Sequence, residues 1–365
     1  MIEDAATRIG GVVRPTPVYL SEGISKVAGR PVLLKPEQRQ RTGSFKIRGA
    51  YNKISRLESA STPAVVAASA GNHAQGVALA ASLSGIPATI FMPATVSLPK
   101  LQATQDYGAH VVLVDGGVDQ AISAALDHAA GTGGVWVHPF DDPLIIAGQG
   151  TIGLEIAAEA PDAEVVVVPV GGGGLVTGIA SALRGPQVVG VRPIDPTNTM
   201  ADGIAVGSML PLTEEIVTVS EEDISHAVLL LLERAKAVVE PAGAVGLAAV
   251  LAGTVPGEGP VVVVLSGGNV DPMLLTNIVD HGLSAVGRFL VIQVVLGDRP
   301  GQLAALTTAV AEQRANVLSI EHHREGVGLP VGDTQVRLTI ETRDRQHGDG
   351  VIAALEYHGF DVTRG

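Results

Sequence analysis

Short apolar runs alternate with alanine-rich amphipathic stretches along most of this chain, and that alternation narrows the folds open to it. AVVAAS near Ala64 precedes the helix-like GVALAASLSG, and VVVVPV at Val165 precedes LVTGIASALR. Continuous β-branched runs fit strands buried on both faces, and the amphipathic stretches fit crossover helices between parallel strands. The sequence therefore predicts an α/β fold with open, mostly parallel sheets.

The pattern changes near Ala285. From Phe289 onward the segments predict strand, helix, strand, strand, helix, strand, which is a small α+β unit. We predict a main domain over residues 1–284, made of two subdomains, and a βαββαβ domain over residues 289–365. HGLSAVGR, from His281 to Arg288, is the predicted linker.

Charge and composition exclude several classes of protein. The formal net charge of −13 opposes a nucleic-acid or anionic-membrane surface, because phosphate binding there relies on clustered Lys and Arg. The absence of cysteine excludes disulfides and thiolate sites and suits a reducing compartment. MIEDAATRIGGVVRP does not resemble a secretory signal. The uncharged residues 165–183 contain four consecutive glycines after a proline, which favour strand, loop and helix over a membrane span. We expect a cytoplasmic protein without nucleic-acid or membrane partners.

One lysine stands out in KPEQRQRTGSFKIRGAYNKI, the stretch from Lys35 to Ile54. Lys46 follows a Gly and a Ser that can turn the chain, and it precedes a helix-like segment. An amine at a helix N-terminus beside Arg41 and Arg48 would have a lowered pKa and could act as a nucleophile or base. The alternative is an ordinary exposed lysine.

Three further stretches are typical of anion or ligand sites. ASAGNHAQG comes between a predicted strand and helix, where N–H groups and Asn72 could bind a carboxylate or phosphate, or could simply cap the helix. PVGGGGLVTG could cup a phosphate with backbone N–H groups, yet it lacks the P-loop lysine and the dinucleotide spacing. Ser266 in LSGGN follows a strand, at the edge where open α/β sheets bind ligands; otherwise it is a turn residue.

Together these stretches resemble the β-family of pyridoxal-phosphate enzymes, specifically the threonine ammonia-lyases (threonine dehydratases) and the related serine racemases. The resemblance runs from about Arg14 to about Gly282 and is carried by QRTGSFKIRGA, SAGNHAQG, AGQGT, GGGGL, EPAGA and SGGN. GDRPGQLAAL and RANVLSIEHHR in the remaining segment resemble an ACT domain, a regulatory fold that binds amino acids.

The resemblance implies roles for individual residues. Lys46 would hold pyridoxal 5'-phosphate as a Schiff base, Phe45 would flank the pyridine ring, Asn72 would hydrogen-bond the phenolic oxygen and Ser266 would face the ring nitrogen. The phosphate would rest on Gly171, Gly172, Gly173 and Gly174, and the substrate carboxylate would be received by Ser69, Gly71 and His73, with Gln149 in a further matching loop. Ser69 is also predicted to be catalytic, whereas His73 taken alone is more typical of a structural histidine.

The implied reaction is the dehydration and deamination of L-threonine, or L-serine, to a 2-oxo acid and ammonia. Lys46 would remove the α-proton, and the cofactor phosphate would protonate the leaving hydroxyl. Where similar racemases have a serine, this chain has Ala70, which cannot exchange a proton, so we predict little racemisation. Threonine is preferred over serine only by resemblance.

The chain departs from the family pattern after the strand matching QVVGV. Arg192 stands where relatives usually have a glutamate before a proline, and Pro193 leads quickly through IDPTNTM to ADGIAV. That region helps to build a cation site in relatives, so no metal site is predicted here. His322 and His323 are adjacent on a predicted strand, which directs them to opposite faces and argues against a shared metal.

Other readings remain open at this stage. They are a serine racemase or serine dehydratase, a non-catalytic amino-acid-binding regulatory protein, a nucleotide-dependent oxidoreductase and a β-replacement enzyme that makes cysteine. For the ACT-like segment we predict a branched-chain amino-acid effector, isoleucine first, near Gly301 and Asn316 at an interface of paired domains; the alternative is a dimerisation module. In either case we expect a homodimer or homotetramer.

Overall fold

A computed structural model describes residues 1–205, 210, 215–323 and 332–365. Val206 and Arg324, at the ends of two motifs discussed above, lie outside the described residues. The chain divides into two compact units, Met1–Leu275 and Thr276–Gly365. The division falls within a helix and earlier than the predicted linker, of which residues 281–285 are helical. The domain boundaries proposed from the sequence therefore stay predictions.

The helices alternate with strands over most of the described chain. Their bounds are Ile2–Ile9 (α1), Glu22–Ala28 (α2), Lys46–Ile54 (α3), Asn72–Ser84 (α4), Leu98–Asp106 (α5), Val118–Thr132 (α6), Pro143–Glu159 (α7), Gly174–Ala182 (α8), Glu221–Leu230 (α9), Pro241–Leu251 (α10), Pro272–Ala285 (α11), Gln302–Glu312 (α12) and Arg345–Tyr357 (α13).

The strands form three sheets. Their bounds are Tyr19–Leu20 (β1), Val32–Lys35 (β2), Val65–Ala68 (β3), Ala88–Pro93 (β4), His110–Val114 (β5), Val135–Trp136 (β6), Val165–Pro169 (β7), Gln187–Pro193 (β8), Glu215–Val219 (β9), Val261–Val264 (β10), Phe289–Gly297 (β11), Asn316–His323 (β12), Asp333–Glu341 (β13) and Asp361–Arg364 (β14).

The first unit contains two open sheets. The larger has the order β1-β2-β10-β7-β8-β9, parallel except for β1, and the smaller has the order β5-β4-β3-β6, parallel throughout. The valines of β10 and every residue of β7 are buried, as the continuous β-branched runs predicted. The predicted α/β class with mostly parallel sheets is confirmed.

The second unit has an antiparallel sheet of order β12-β13-β11-β14. The alternating burial along β11 and β13 directs one face of the sheet toward a core that includes Leu306 of α12 and Leu355 of α13. Strands and helices follow each other as β11, α12, β12, β13, α13, β14, which confirms the predicted βαββαβ unit.

Residues 165–183 illustrate how glycine changes the reading of an apolar segment. They form strand β7, the four-glycine loop and helix α8. Among the residues that the structure describes, no helix is long and apolar enough to cross a membrane.

Candidate active site

Lys46 begins helix α3, as the sequence predicts, and its side chain lines a cavity. Helix α4 approaches at Gly76, where a Cβ would lie 3.1 Å from the carbonyl carbon of Lys46. The Nζ atom donates a hydrogen bond to Pro139 O at 2.9 Å and lies 5.1 Å from the centre of the Phe45 ring. The lysine is thus placed inside a cavity and not on an exposed surface.

Burial lowers the pKa of the Lys46 amine to about 8, and the Glu240 carboxylate opposes that shift. The predicted direction of the shift is therefore confirmed, and burial is its largest cause. Arg48 does not face the amine, because its guanidinium pairs with Glu37 and Glu155 at 2.8 and 2.6 Å in a separate buried cluster. Desolvation, and not neighbouring arginines, makes this lysine a better nucleophile.

The four-glycine loop joins β7 to α8 and lines the same cavity. Gly173 has φ of 93° and caps α8, where the first N–H groups of a helix lack intrahelical partners. At Gly172 a Cβ would meet the ring of Phe140, and at Gly174 it would lie 2.7 Å from the Phe140 carbonyl oxygen. Of the four glycines, Gly173 is the one with a positive φ. Its two neighbours, Gly172 and Gly174, are glycine because Phe140 lies against them.

The segment that supplies Phe140 is held by its own histidine. His138 Nδ1 accepts hydrogen bonds from Phe140 N at 3.3 Å and Asp141 N at 2.8 Å, and its ring contacts the Phe140 ring edge-on at 4.7 Å between centroids. Pro139 lies between them and carries the oxygen that binds Lys46 Nζ. Sequence reasoning singled out none of these three residues.

Every residue predicted to bind the cofactor lines one cavity. These residues are Phe45, Lys46, Asn72, Gly171, Gly172, Gly173, Gly174 and Ser266. The loop glycines leave space that a side chain would fill, helix α8 adds N–H groups, and a partly neutral amine stands in the same cavity. An aldehyde that carries a phosphate fits this set, because the amine can bond the aldehyde and the N–H groups can bind the phosphate.

Two further residues at this site received no role from the sequence. Glu240, from EPAGA, lines the cavity, and its Oε1 accepts a hydrogen bond from Asn72 Nδ2 at 2.6 Å. Asn269, from SGGN, donates through Nδ2 to Asn72 Oδ1 at 2.7 Å. Both motifs were visible, but neither spacing reveals that the two side chains converge on Asn72.

The residues predicted to receive the substrate carboxylate cluster at the start of α4. Ser69 Oγ accepts a hydrogen bond from Gly71 N at 3.1 Å, and Gly71 is the N-cap of the helix. His73 is buried, and its Nε2 lies 2.9 Å from Val137 O. Burial, reinforced by the charge of Lys46, lowers the pKa of His73 to about 3, so its imidazole is neutral. Their contact with a substrate stays a prediction.

Gln149 lies elsewhere. It is 1% exposed on α7, and its Oε1 accepts a hydrogen bond from Gly49 N of α3 at 3.2 Å. A Cβ at Gly49 would lie 2.7 Å from Ile145 O, so the two helices touch at this point. This position supports a role in packing α3 against α7, and it adds no support to the predicted contact with substrate.

The two residues predicted to bind an effector are separated in the second unit. Gly301, with φ of 90°, lines a cavity together with Asp298, His322 and Thr334. Asn316 does not line that cavity; it begins β12, and its Nδ2 lies 3.5 Å from Glu341 Oε2.

No group of three potential metal ligands comes together within residues 1–205, 215–323 and 332–365. His322 and His323 are both exposed on β12, and His322 contributes to the Gly301 cavity. The metal prediction is not tested by this observation.

Comparison with known proteins agrees with this geometry. The chain is 45% identical to an L-threonine ammonia-lyase of Thermotoga maritima, over an alignment of 391 positions that covers 99% of this chain and 98% of the relative. A threonine deaminase of Solanum lycopersicum has a similar structure, with a TM-score of 0.72 and 33% identity over 77% of this chain and 86% of that one. A serine racemase of maize gives 0.71 and 32% over 78% of this chain and 97% of the racemase.

Family models divide the chain in the same way as the fold. The model described as pyridoxal-phosphate dependent enzyme matches residues 9–267, which include the Lys46 cavity, and the ACT domain model matches residues 290–359. The chain belongs to the pyridoxal-phosphate-dependent enzymes, and it carries an ACT domain after the catalytic unit.

Proposed function

We propose that this protein is a threonine ammonia-lyase, which converts L-threonine to 2-oxobutanoate and ammonia, and L-serine to pyruvate and ammonia. The observation that carries the proposal is the single cavity where Lys46, Asn72, Ser266 and the four-glycine loop meet. The 45% identity to an L-threonine ammonia-lyase over nearly the whole chain supports the choice of reaction within the family.

The cofactor would be held at three places in the cavity. Lys46 would bond its aldehyde carbon, the glycine loop and the first turn of α8 would bind its phosphate, and Asn72 and Ser266 would contact its ring. When bound, pyridoxal phosphate supplies an electron sink that makes the substrate Cα–H acidic enough for a side chain to remove.

Lys46 Nζ is the proposed base for that proton. With a pKa of about 8, roughly a tenth of the amine would be neutral at pH 7, against well under a thousandth for a lysine of ordinary pKa. The bond to Pro139 O at 2.9 Å fixes the direction of the amine while leaving it capacity for a second contact.

Ser69 and Gly71 are proposed to orient the substrate. Ser69 Oγ already accepts a hydrogen bond from Gly71 N, which leaves the hydroxyl proton free to be donated to a carboxylate. The neutral His73 would hold the start of α4 against Val137 and would not act as an acid near neutral pH.

Two residues favour elimination over other outcomes. Ser266 is proposed to face the ring nitrogen of the cofactor with a neutral hydroxyl and not with a carboxylate, which would favour elimination over transamination. Ala70 has no proton to give on the opposite face, so D-amino acid should form far more slowly than 2-oxo acid. Comparable rates of the two products would favour the racemase reading instead.

The reaction is tested by 2-oxo acid release from threonine and from serine. Purified protein should be yellow, should release 2-oxobutanoate without added sulfide, and should lose its colour and activity after borohydride treatment. Sulfide-dependent cysteine formation would favour the β-replacement reading, and a colourless, inactive full-length protein would refute the proposal.

We further propose that the ACT domain binds a branched-chain amino acid, with isoleucine as the first candidate, at the cavity lined by Gly301. The apolar Leu296 and Leu303 and the polar Asp298 and Thr334 around this cavity suit an amino acid with an aliphatic side chain. A contribution from Asn316 would require a second copy of the chain, in a homodimer or homotetramer.

The effector proposal is tested on the full chain by isoleucine titration, followed by heat release and by 2-oxobutanoate production. Gly301→Ala should weaken isoleucine binding by about tenfold, because alanine is strained at φ of 90°. Gly350→Ala, in the same unit and with open space around its Cβ, is the matched control. Unchanged isoleucine binding in Gly301→Ala would exclude this cavity.

A further inference from the structure

The side-chain amide of Asn72 forms hydrogen bonds with two side chains that come from different elements. Asn269 Nδ2 donates to Asn72 Oδ1 at 2.7 Å, and Asn72 Nδ2 donates to Glu240 Oε1 at 2.6 Å. A carboxyl oxygen accepts and an amide nitrogen donates, so only one of the two amide orientations satisfies both partners. The side chain of Asn72 is therefore not free to turn over.

Each partner is anchored in its own place. Asn269 Nδ2 also donates to Thr42 O at 2.7 Å. Glu240 is 4% exposed, and its backbone N–H donates to Gly267 O at 3.0 Å. A Cβ at Gly267 would collide with Glu240 Oε1, so glycine at this position makes room for the carboxyl.

We propose that Glu240 and Asn269 are positioning residues that orient the Asn72 amide, leaving its second Nδ2 proton for an acceptor oxygen on the ring of the bound cofactor. This inference rests on the proposed function, since it assumes that the cofactor occupies the cavity. The three hydrogen-bonded side chains connect the loop after β10, the start of α4 and the start of α10.

Glu240 does not need a negative charge to orient Asn72. Burial raises the pKa of Glu240 to about 7, while Asn72, Lys100 and Lys46 act in the opposite direction and Asp202 adds to the rise. Either protonation state retains an oxygen that can accept the Asn72 proton. A glutamine at this position keeps that oxygen and should therefore preserve the orientation, whereas alanine removes it.

The test uses the full chain after removal of the cofactor, and it measures the dissociation constant for added pyridoxal phosphate and the pH titration of the bound absorbance band. Glu240→Ala should weaken cofactor binding by about tenfold and move the titration midpoint, because Asn72 loses its fixed orientation. Glu240→Gln keeps the accepting oxygen and should bind the cofactor within about twofold of the parent. Because it removes the same charge beside Lys46 as Glu240→Ala does, its titration midpoint is the reference for that variant. Glu258→Gln, an exposed carboxylate, is the control.

A double-mutant cycle separates positioning from a direct role. If Glu240 acts through Asn72, then Glu240→Ala should have no further effect on cofactor binding in the Asn72→Ala protein. An equal loss in both backgrounds would overturn the proposal, and so would a Glu240→Ala protein that binds and titrates like the parent.

Asn269→Ala provides the same cycle from the other side if Glu240→Ala does not fold, as judged by the melting of the cofactor-free protein. It should weaken cofactor binding in the parent and have no effect in the Asn72→Ala protein. A parent protein that binds no cofactor would instead refute the proposed function, which distinguishes the two failures.

Discussion

Lys46 and Arg48 are two cations two residues apart on helix α3, and their surroundings differ in kind. Arg48 is fully buried and forms paired hydrogen bonds with both Glu37 and Glu155, at distances from 2.6 to 2.9 Å. Burial alone would lower the pKa of Arg48, but the two carboxylates outweigh it and raise that pKa. Lys46 has a carbonyl oxygen as its hydrogen-bond partner, and its pKa falls to about 8.

The difference shows that Arg48 serves the stability of the fold, whereas Lys46 is suited to reaction. Side chains at positions i and i+2 of a helix point about 200° apart, so adjacent motif letters enter separate environments. The positive charge of Arg48 is neutralised by the carboxylates of Glu37, which follows β2, and Glu155, which lies on α7. Lys46 Nζ donates instead to the neutral carbonyl oxygen of Pro139, so its amine can lose a proton.

The largest effect should follow from removing the amine. Lys46→Ala should reduce 2-oxobutanoate release by at least about 10³-fold, because both the covalent attachment and the base are lost. Lys26→Ala, an exposed lysine in the same unit, should be unaffected. Residual activity near the parent level would show that another group serves as the base.

Removing the other cation should act on stability. Arg48→Met should destabilise the folded protein by about 3 to 5 kcal/mol, because Glu37 would remain buried without its partner. Denaturant unfolding of the first unit measures the change, with the exposed Arg8→Met as control. A loss below about 1 kcal/mol would mean that the cluster relaxes or admits water.

Replacing Lys46 by methionine should have the opposite effect on the free energy of unfolding. Because the Lys46 pKa is lower in the folded than in the unfolded chain, the unfolded chain binds more protons between pH 8 and about 10.5, and this lysine's contribution to stability rises with pH there. Below that window the buried charge costs stability. Lys46→Met should therefore stabilise the cofactor-free protein at pH 7 by about 1 to 2 kcal/mol. An equal gain at pH 11 would contradict the titration.

The smallest effect concerns Glu155, which is 30% exposed. Burial tends to raise its pKa, yet Arg48 and Lys35 outweigh burial and the pKa is lowered. Its contribution is therefore present above the ordinary value of 4.5 and is lost as pH falls through the lower folded value. Glu155→Gln should cost about 1 kcal/mol at pH 7 and flatten the acid side of the stability profile. A profile that keeps its acid slope would assign that slope to other carboxylates.

The elements follow from local sequence patterns, whereas the residues of the cofactor cavity were assigned from motifs that resemble a known family. Buried valine runs and loops that follow strands identified β7, β10 and the ends where ligands bind. Arg48 was misjudged as a neighbour of the amine because linear proximity does not give side-chain direction. Glu240 and Asn269 were not assigned because their partnership with Asn72 depends on contacts across 168 and 197 residues of chain. Gln149 belongs to a matching motif, yet its side chain lies at the contact between α3 and α7.

The short segment from His138 to Phe140 contacts two parts of the site, since Pro139 O accepts a hydrogen bond from the Lys46 amine and Phe140 lies against two glycines of the loop. A mutation in this segment would thus be pleiotropic: retention of the phosphate and reactivity of the lysine would change together. A substitution there has to satisfy both contacts at once, so either property alone is better adjusted at another position.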